Sequence, residues 1–417
     1  MRGNRYFRPI LFLCFSLVCT GLSAQTLGWR AHDGSGHFKQ ESGLLKEWPA
    51  GGPQTILTIS GLPEGYSQPV LASAKIVLTG KRDTLDVALA FNMKGEKLWE
   101  TPYGRSWIRS YDLTRTTPRI EGNKVWVTSG MAHVACLDLS NGKLLWKKDL
   151  YQIYGGEEAT FGYSESPLIC GNLLIYTIGG KKATVVALNK NTGAEVWHSA
   201  VFDKAAYCSP IFVNHNGNAM YVNVGAKYIF AIAVDSGKLL WTIDYTHWMN
   251  PNDTNNNTNN PLYADGKIAV TSGYNHGTVL IGLSADGKSA TPLWKNEDLD
   301  AHHGNMVKVG NHLYGSTWDN NATGKWACID WTTGKSNYVQ AWESKGSIIS
   351  ADGMLYCYDE KNGTVGLVKP NPQKFELVSS FRVQGGKGPH WAHPVIHNGV
   401  LYIRHGNTLN GYNIKQN

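Results

Sequence analysis

A glycine followed four residues later by a tryptophan recurs along this chain, and no other feature constrains its fold as tightly. It stands in "NMKGEKLW" (Gly95, Trp99), "LSNGKLLW" (Gly142, Trp146), "KNTGAEVW" (Gly193, Trp197) and "VDSGKLLW" (Gly237, Trp241), with looser copies ending at Trp294 and Trp342. The tryptophans fall roughly 50 residues apart, a period that marks one supersecondary unit stacked on the next. Between them a second signature returns. A proline or apolar residue opens a short strand, a tight turn follows, and a second strand answers it. "TPRIEGNKVWVTSG", "SPLICGNLLIYTIGG", "NPLYADGKIAVTSG" and "HPVIHNGVLYIRHG" are four of eight such copies. Each period therefore reads strand, tight turn, strand, longer loop, strand, glycine turn, strand, which is a four-stranded antiparallel blade. A lone blade leaves two open edges and an unburied face, and setting blades around an axis removes both problems.

Eight copies predict an all-β, eight-bladed propeller. The last copy supplies three strands, while "QTILTI" (residues 54–59) precedes the first copy unassigned. That N-terminal strand is expected to complete the last blade and close the ring. Each tryptophan is expected to wedge between neighbouring blades. Residues 54–417 then form one propeller domain, and the Gly-rich residues 25–53 form an extended segment wrapping the ring. Residues 1–24 read as a Sec-type signal peptide: Arg2, Arg5 and Arg8 precede a short apolar run that ends in Ser23-Ala24. Cys14 follows Leu13 and Cys19 follows Val18, so neither makes a convincing lipoprotein motif. The expectation is an exported chain, periplasmic or extracellular, with no transmembrane segment in its mature part.

The formal charge of +7 includes those three arginines, and about +4 remains on the mature chain, well mixed and without a long basic run. Nucleic acid is therefore not an expected partner. Cys136, Cys170, Cys208, Cys328 and Cys357 are scattered through strand-like runs such as "VACLDL" and "WACIDW" without a CxxC pair. They read as buried thiols, with one disulfide left open.

In an up-and-down blade, the loops between blades and those between strands two and three emerge on one face. The other face carries tight turns such as "EGN", "ADG" and "VGN". The loop face collects His133, His247, His276, His302, His303, His390, His393 and His405. Arg105, Arg109, Arg115 and Arg404 join them, with Trp107, Tyr111, Tyr163, Tyr207, Trp248, Trp318 and Trp391. His397, in the turn "IHNG", belongs to the other face. Loops on a rigid scaffold are where binding residues concentrate. The candidate ligand-binding set is His390, Trp391, His393, Arg404, His405, His302, His303, Arg109, Tyr163 and Trp318. The polar run "NPNDTNNNTNN" (residues 250–260) reads as a solvated loop, with a lid over that face as the alternative.

The repeated Ala/Leu-x-x-x-x-Gly-x-x-x-Trp motif, the N-terminal "GWRAHDGSG...ESGLLKEWPAGGP" and the C-terminal "WAHPVIHNGVLYIRHG" make the chain resemble the quinoprotein-like (PQQ-repeat, PQQ-binding-like) β-propellers. The resemblance spans the mature chain and implies the propeller fold. It says little of activity, because propellers host binding, scaffolding and catalysis alike. Its dehydrogenases would imply the quinone PQQ beside an adjacent cysteine pair and a calcium held by Glu, Asn and Asp. This chain has no adjacent cysteines, and its rim acids Glu157, Glu158, Glu165, Asp300 and Asp319 are scattered over different loops, so PQQ is not the expected cofactor.

Three chemistries stay open. His303, His390, His393 and His405 are candidate ligands of a single transition metal, although their spacing matches no recognised metal motif. His, Tyr and Arg on one rim suit acid–base catalysis on a carbohydrate. A concave, aromatic, weakly cationic face also suits non-catalytic binding of an acidic small molecule, a glycan or an envelope protein. Binding or assembly is the leading reading. An enzyme acting on a carbohydrate-type substrate by acid–base or metal chemistry is the alternative, followed by a quinone-dependent dehydrogenase.

Overall fold

The computed structural model describes residues 28–157, 159–249 and 256–416. The signal peptide read on residues 1–24 lies outside the described residues. The rest forms eight four-stranded antiparallel sheets. Seven blades are built in sequence order, from residues 70–105, 119–149, 168–198, 211–244, 262–296, 306–340 and 346–382. The eighth combines Val395–His397, Val400–His405 and Thr408–Asn413 with the N-terminal strand Thr55–Ser60. Ser60 pairs with Thr408 and Leu57 with Gly411, so the ring closes antiparallel through its two ends.

Burial within a blade explains the composition of its strands. The second strand of blade 7, Met354–Asp359, is buried throughout, and the fourth strand of blade 6, Ser336–Gln340, is mostly exposed. Strands covered on both faces read as short continuous apolar runs, and the outermost strand loses that requirement. The third strands carry the buried small residues Ala88, Ala135, Ala187, Ala231 and Ala327, which let adjacent blades approach closely.

The Gly-x-x-x-Trp motif proves to be an interlock between neighbours. Trp99 Nε1 donates to the Leu139 carbonyl of the next blade at 3.0 Å, and Trp146, Trp197, Trp241 and Trp294 repeat that bond to Lys190, Val234, Gly287 and Trp331 at 3.0–3.1 Å. At Trp99, Trp146, Trp197 and Trp294 the turn glycine of the next blade packs against the indole. At Gly237 (φ +71°), a Cβ would stand 2.5 Å from Trp197. Both the left-handed backbone and the absence of room demand glycine there. In each of these blades the fourth strand also shifts register just before its tryptophan, for example between Trp197, paired with Ala187, and Glu195, paired with Leu188. A bulge inserts one residue and re-aims the next side chain. The spacing of four therefore counts turn, strand, bulge and indole.

Blade 6 departs from the expectation. Tyr338, paired with Cys328, takes the position after the bulge. Trp342 lies beyond the strand and packs against Trp326 and Phe375, with ring centroids 6.0 and 5.5 Å away.

The N-terminal segment also differs from the expected wrapping. Its first ten described residues enter the propeller axis. Arg30 is fully buried and donates to the carbonyls of Met306 (2.8 Å) and Ile348 (3.0 Å), on the inner strands of blades 6 and 7. Gln68 Nε2 donates to the Gly28 carbonyl (2.8 Å), and Asn260 Nδ2 to that of Gly34 (2.9 Å). Only beyond Phe38 does the segment spread over blades 7 and 8, where Trp48 packs on Phe381 at 4.8 Å.

Candidate functional site

Above this plug, loops from most of the ring enclose a cavity of about 370 Å³. Loops between blades bring Tyr111 and Arg115, Phe161, Tyr207, Asn256 and Thr258, His302 and His303, and Trp391 and His393. Tyr66 comes from ahead of blade 1, Tyr274 from within blade 5, and Trp29 from the plug. The rings form a nearly continuous wall. Centroids lie 5.5 Å apart for Tyr207–Phe161, 5.8 Å for Phe161–Tyr111, 5.8 Å for Tyr111–Trp391 and 5.0 Å for Trp391–His303. The His302 and His303 rings lie tilted against each other with centroids 3.5 Å apart, and Tyr274 meets His302 at 4.8 Å. Polar atoms come from Ser164, Ser166, Ser209 and Asn321, and among the described residues Arg115 is the one guanidinium in the lining. Such a surface is apolar in area and polar at a few points, the usual make-up of a small-molecule site.

The structure divides the residues expected on this rim. His302, His303, Trp391 and His393 line the cavity. Trp318 stands behind Tyr274, with centroids 5.3 Å apart. Arg109 is exposed and lies over Trp107, outside the cavity. Tyr163 is buried packing, its hydroxyl donating to the Ile178 carbonyl at 3.0 Å. His390 and His405 stack on each other at 3.6 Å away from the cavity lining. His390 Nδ1 shares a hydrogen bond with the Tyr358 hydroxyl (2.5 Å), and both nitrogens of His405 lie 2.6 Å from backbone carbonyls. Burial, with His405 and Arg382 adding to it, pushes the His390 imidazole down to about 4.

Arg404, expected to converge with them, is fully buried. It donates to the carbonyls of Thr79 (2.6 Å) and Pro63 (2.7 Å) and to Ser67 Oγ (2.7 Å), so it ties blade 8 to blade 1. His397 lies apart, in a groove of about 570 Å³ beside the tight turns.

The four imidazoles expected to share a metal therefore do not converge. Both nitrogens of His393 are spoken for. Arg30 donates to Nδ1 at 2.9 Å, which places the ring proton on Nε2, and Nε2 donates to the His303 carbonyl at 2.8 Å. Burial first, then the Arg30 charge, holds this imidazole neutral, well below its ordinary range. Sequence reading missed Glu360 and Lys345. The Glu360 Oε2 atom stands 3.9 Å from His303 Nδ1, and its other oxygen meets the buried Lys345 ammonium. The carboxyl is held below its usual range: burial opposes this, and His303 and Lys345 outweigh it. The signal lay in the hairpin "GSIISADGMLYCYD", whose ends Gly346 and Asp359 pair and so set the flanking Lys345 and Glu360 opposite each other.

Residues 256–260 are not the solvated loop expected. Asn259 Nδ2 donates to the carbonyls of Ala301 (2.6 Å) and His302 (2.9 Å), and Asn260 Oδ1 accepts from Asn305 (2.6 Å) and Trp29 (2.9 Å). They brace the histidine loop from beneath. Residues 250–255 of that run lie outside the described residues.

Of the rim acids, Glu158 lies outside the described residues, and Asp300 and Glu165 are structural. Asp300 accepts the backbone N–H groups of Asn275 (2.8 Å) and Gly277 (2.9 Å). Glu165 is buried under the serine-lined wall, accepting from Thr177 N–H (2.9 Å), the Tyr221 hydroxyl (2.9 Å) and Asn223 (3.0 Å). Burial outweighs those hydrogen bonds and pushes its carboxyl up to about 8. The folded-state value lies above the unfolded one, so the stability this carboxyl contributes is fully present only below its ordinary value of 4.5 and is lost progressively as pH rises from there through about 8. Urea denaturation is expected to show about 1 kcal/mol lost between about pH 7 and pH 9. Glu165→Gln is expected to abolish that loss, and an equal slope in the variant would refute the assignment.

A family model described as outer membrane protein assembly factor BamB matches residues 85–340. No curated protein matches significantly. Among solved structures, BamB from Moraxella catarrhalis is 15% identical, with 87% of this chain and 98% of that one covered at a TM-score of 0.62. A quinohemoprotein alcohol dehydrogenase from Comamonas testosteroni is 11% identical, covering 92% and 79% at 0.63. A europium-containing methanol dehydrogenase is 12% identical, covering 89% and 88% at 0.62. At these identities the likeness establishes the fold alone. A calcium-bound quinone does not suit the cavity. Among the described residues no carboxylate lines it, and the five described cysteines are free and sit at separate places in the ring.

Proposed function

Since the chain belongs to the outer membrane protein assembly factor BamB family of PQQ-repeat β-propellers, we propose that it is an exported binding propeller whose axial cavity holds a glycan of the cell envelope. The ring-lined cavity carries this reading. Indole and phenol faces pack against the C–H faces of sugar rings, and the serine, asparagine and threonine groups between them suit hydroxyls. Arg115, which burial leaves less basic than an ordinary arginine, favours an acidic sugar. Export is supported by the basic and apolar pattern of residues 1–24. No helix among the described residues is long and apolar enough to cross a membrane.

The test is calorimetric titration with a panel of acidic and neutral oligosaccharides. Trp391 is half-buried at the centre of the ring wall. Trp391→Ala is expected to weaken binding at least about tenfold, roughly 1.4 kcal/mol, with a melting temperature shifted by no more than a few degrees. The reading fails if no panel member binds the wild type, or if the variant binds equally well.

One observation favours acid–base catalysis as a second reading. His303, backed by Glu360, faces the same cavity as Arg115 and the phenols of Tyr66 and Tyr207. Burial raises both phenols above their ordinary range, so they remain protonated donors at neutral pH. A uronate bound there would lose the proton next to its carboxylate to an imidazole as the glycosidic C–O bond breaks and its oxygen takes a proton. Ultraviolet absorbance from the new carbon–carbon double bond, followed in the same titrations, separates catalysis from binding.

A further inference from the structure

Two adjacent imidazoles on the cavity wall have nitrogens for which the fold provides no hydrogen-bond partner. His302 is buried, and its Nε2 shares a hydrogen bond with the Tyr274 hydroxyl at 2.9 Å. Its Nδ1 has no hydrogen-bond partner, and neither does the buried Nδ1 of His303. Buried polar atoms are normally paired, and two neighbouring exceptions call for an explanation. The backbone beneath is fixed rather than strained into place by chance. Thr258 and Asn259 donate to the His302 carbonyl, and a Cβ at Gly304 would collide with the Gly346 carbonyl. Both rings are thereby held on the same side of a loop, where on a strand they would diverge. Glu360 completes the group. One of its oxygens is held by Lys345, and the other faces His303 Nδ1 at 3.9 Å, too far for a hydrogen bond.

We propose that His302, His303 and Glu360 form a binding site for a single divalent transition ion, with zinc the best match, open to the axial cavity. Their ligand atoms lie within 4.8 Å of one another. Zinc bonds of about 2.0–2.2 Å place tetrahedral ligands roughly 3.4 Å apart, so closure requires the widest pair to approach by up to about 1.4 Å. Two imidazoles and one carboxylate leave a coordination position for water or a bound molecule, the donor set of reactive zinc sites. Tyr274 and Lys345 fill the supporting role, fixing the orientation of one imidazole and one carboxylate. Because Lys345 already balances the Glu360 charge, the site is expected to be weaker than a structural zinc centre and readily stripped.

The test uses the full mature chain, freed of metal with a chelator and titrated with Co²⁺ alone, then with Zn²⁺ as competitor. The wild type is expected to take up one Co²⁺ with the intense visible absorption of a tetrahedral site, displaced by Zn²⁺. His303→Ala and Glu360→Gln are each expected to weaken uptake at least tenfold, whereas His397→Ala, on the opposite face, leaves it unchanged. His303 is only partly buried, so its variant carries the test even where Glu360→Gln fails to fold by circular dichroism. The proposal is overturned if the wild type gives no such absorption, or if His303→Ala binds Co²⁺ as tightly. No organic ligand enters this titration, so its outcome is independent of the glycan reading.

Discussion

Arg30→Ala is expected to cost about 4 kcal/mol or more in urea denaturation, enough to leave the chain marginally folded at room temperature. The guanidinium is sealed in the propeller axis and donates to Met306, Ile348 and Gly304 carbonyls and to His393 Nδ1. Burial holds its pKa at about 9, still charged at neutral pH. Alanine would leave those acceptors without partners in a place water does not reach, and an unsatisfied buried acceptor costs about 1–3 kcal/mol. Arg30→Lys should recover part of the loss, because an ammonium has three donors but cannot span the same fork. The cavity is expected to suffer along with the fold, since Arg30 fixes the His393 ring and the loop of His303. A loss below about 1 kcal/mol would show the plug to be a peripheral attachment.

Deletion through residue 62 is expected to yield aggregates or mixed oligomers in size-exclusion chromatography, whereas deletion through residue 53 should yield a destabilised monomer. The longer deletion removes strand Thr55–Ser60, with buried Leu57 and Ile59, and bares the backbone of Thr408–Asn413. An unpaired edge of that length recruits other chains. The shorter deletion keeps the closing strand and loses only the plug and its cover over blades 7 and 8. If both products are soluble monomers of equal stability, closure of the ring by its N-terminal strand does not hold the fold together.

Fold and site were unequally legible for a physical reason. The blade pattern is local: a turn glycine, a bulge and an indole follow one another within a few residues, so Gly193 and Trp197 announce their own role. Even there, the Tyr338 substitution in blade 6 escaped notice because the nearby Trp342 satisfied the pattern by composition. Membership of the loop face was legible for His302, His303, Trp391 and His393, which the cavity does bring together. What was not legible is which way each side chain turns. Arg404 and His405 are neighbours on a strand, and alternation sends the first between blades and the second against His390. Nor could local pattern find Arg30, whose contact with His393 spans 363 residues. Glu360 and Lys345 flank the first hairpin of blade 7, where Gly346 pairs with Asp359, and only that register sets their side chains together.

The axial plug sets the order in which this molecule can be finished. Its residues leave the ribosome before those of any complete blade, yet Arg30 needs carbonyls from residues 306 and 348 and a ring at residue 393, and Thr55–Ser60 waits for Thr408–Asn413. Early blades can pair their own strands as they emerge, because those contacts are local. The N-terminal segment must stay uncommitted until the last blade exists. Cavity completion and ring closure are thus one late event, and a chain truncated during synthesis presents neither a floor nor a histidine wall to any ligand.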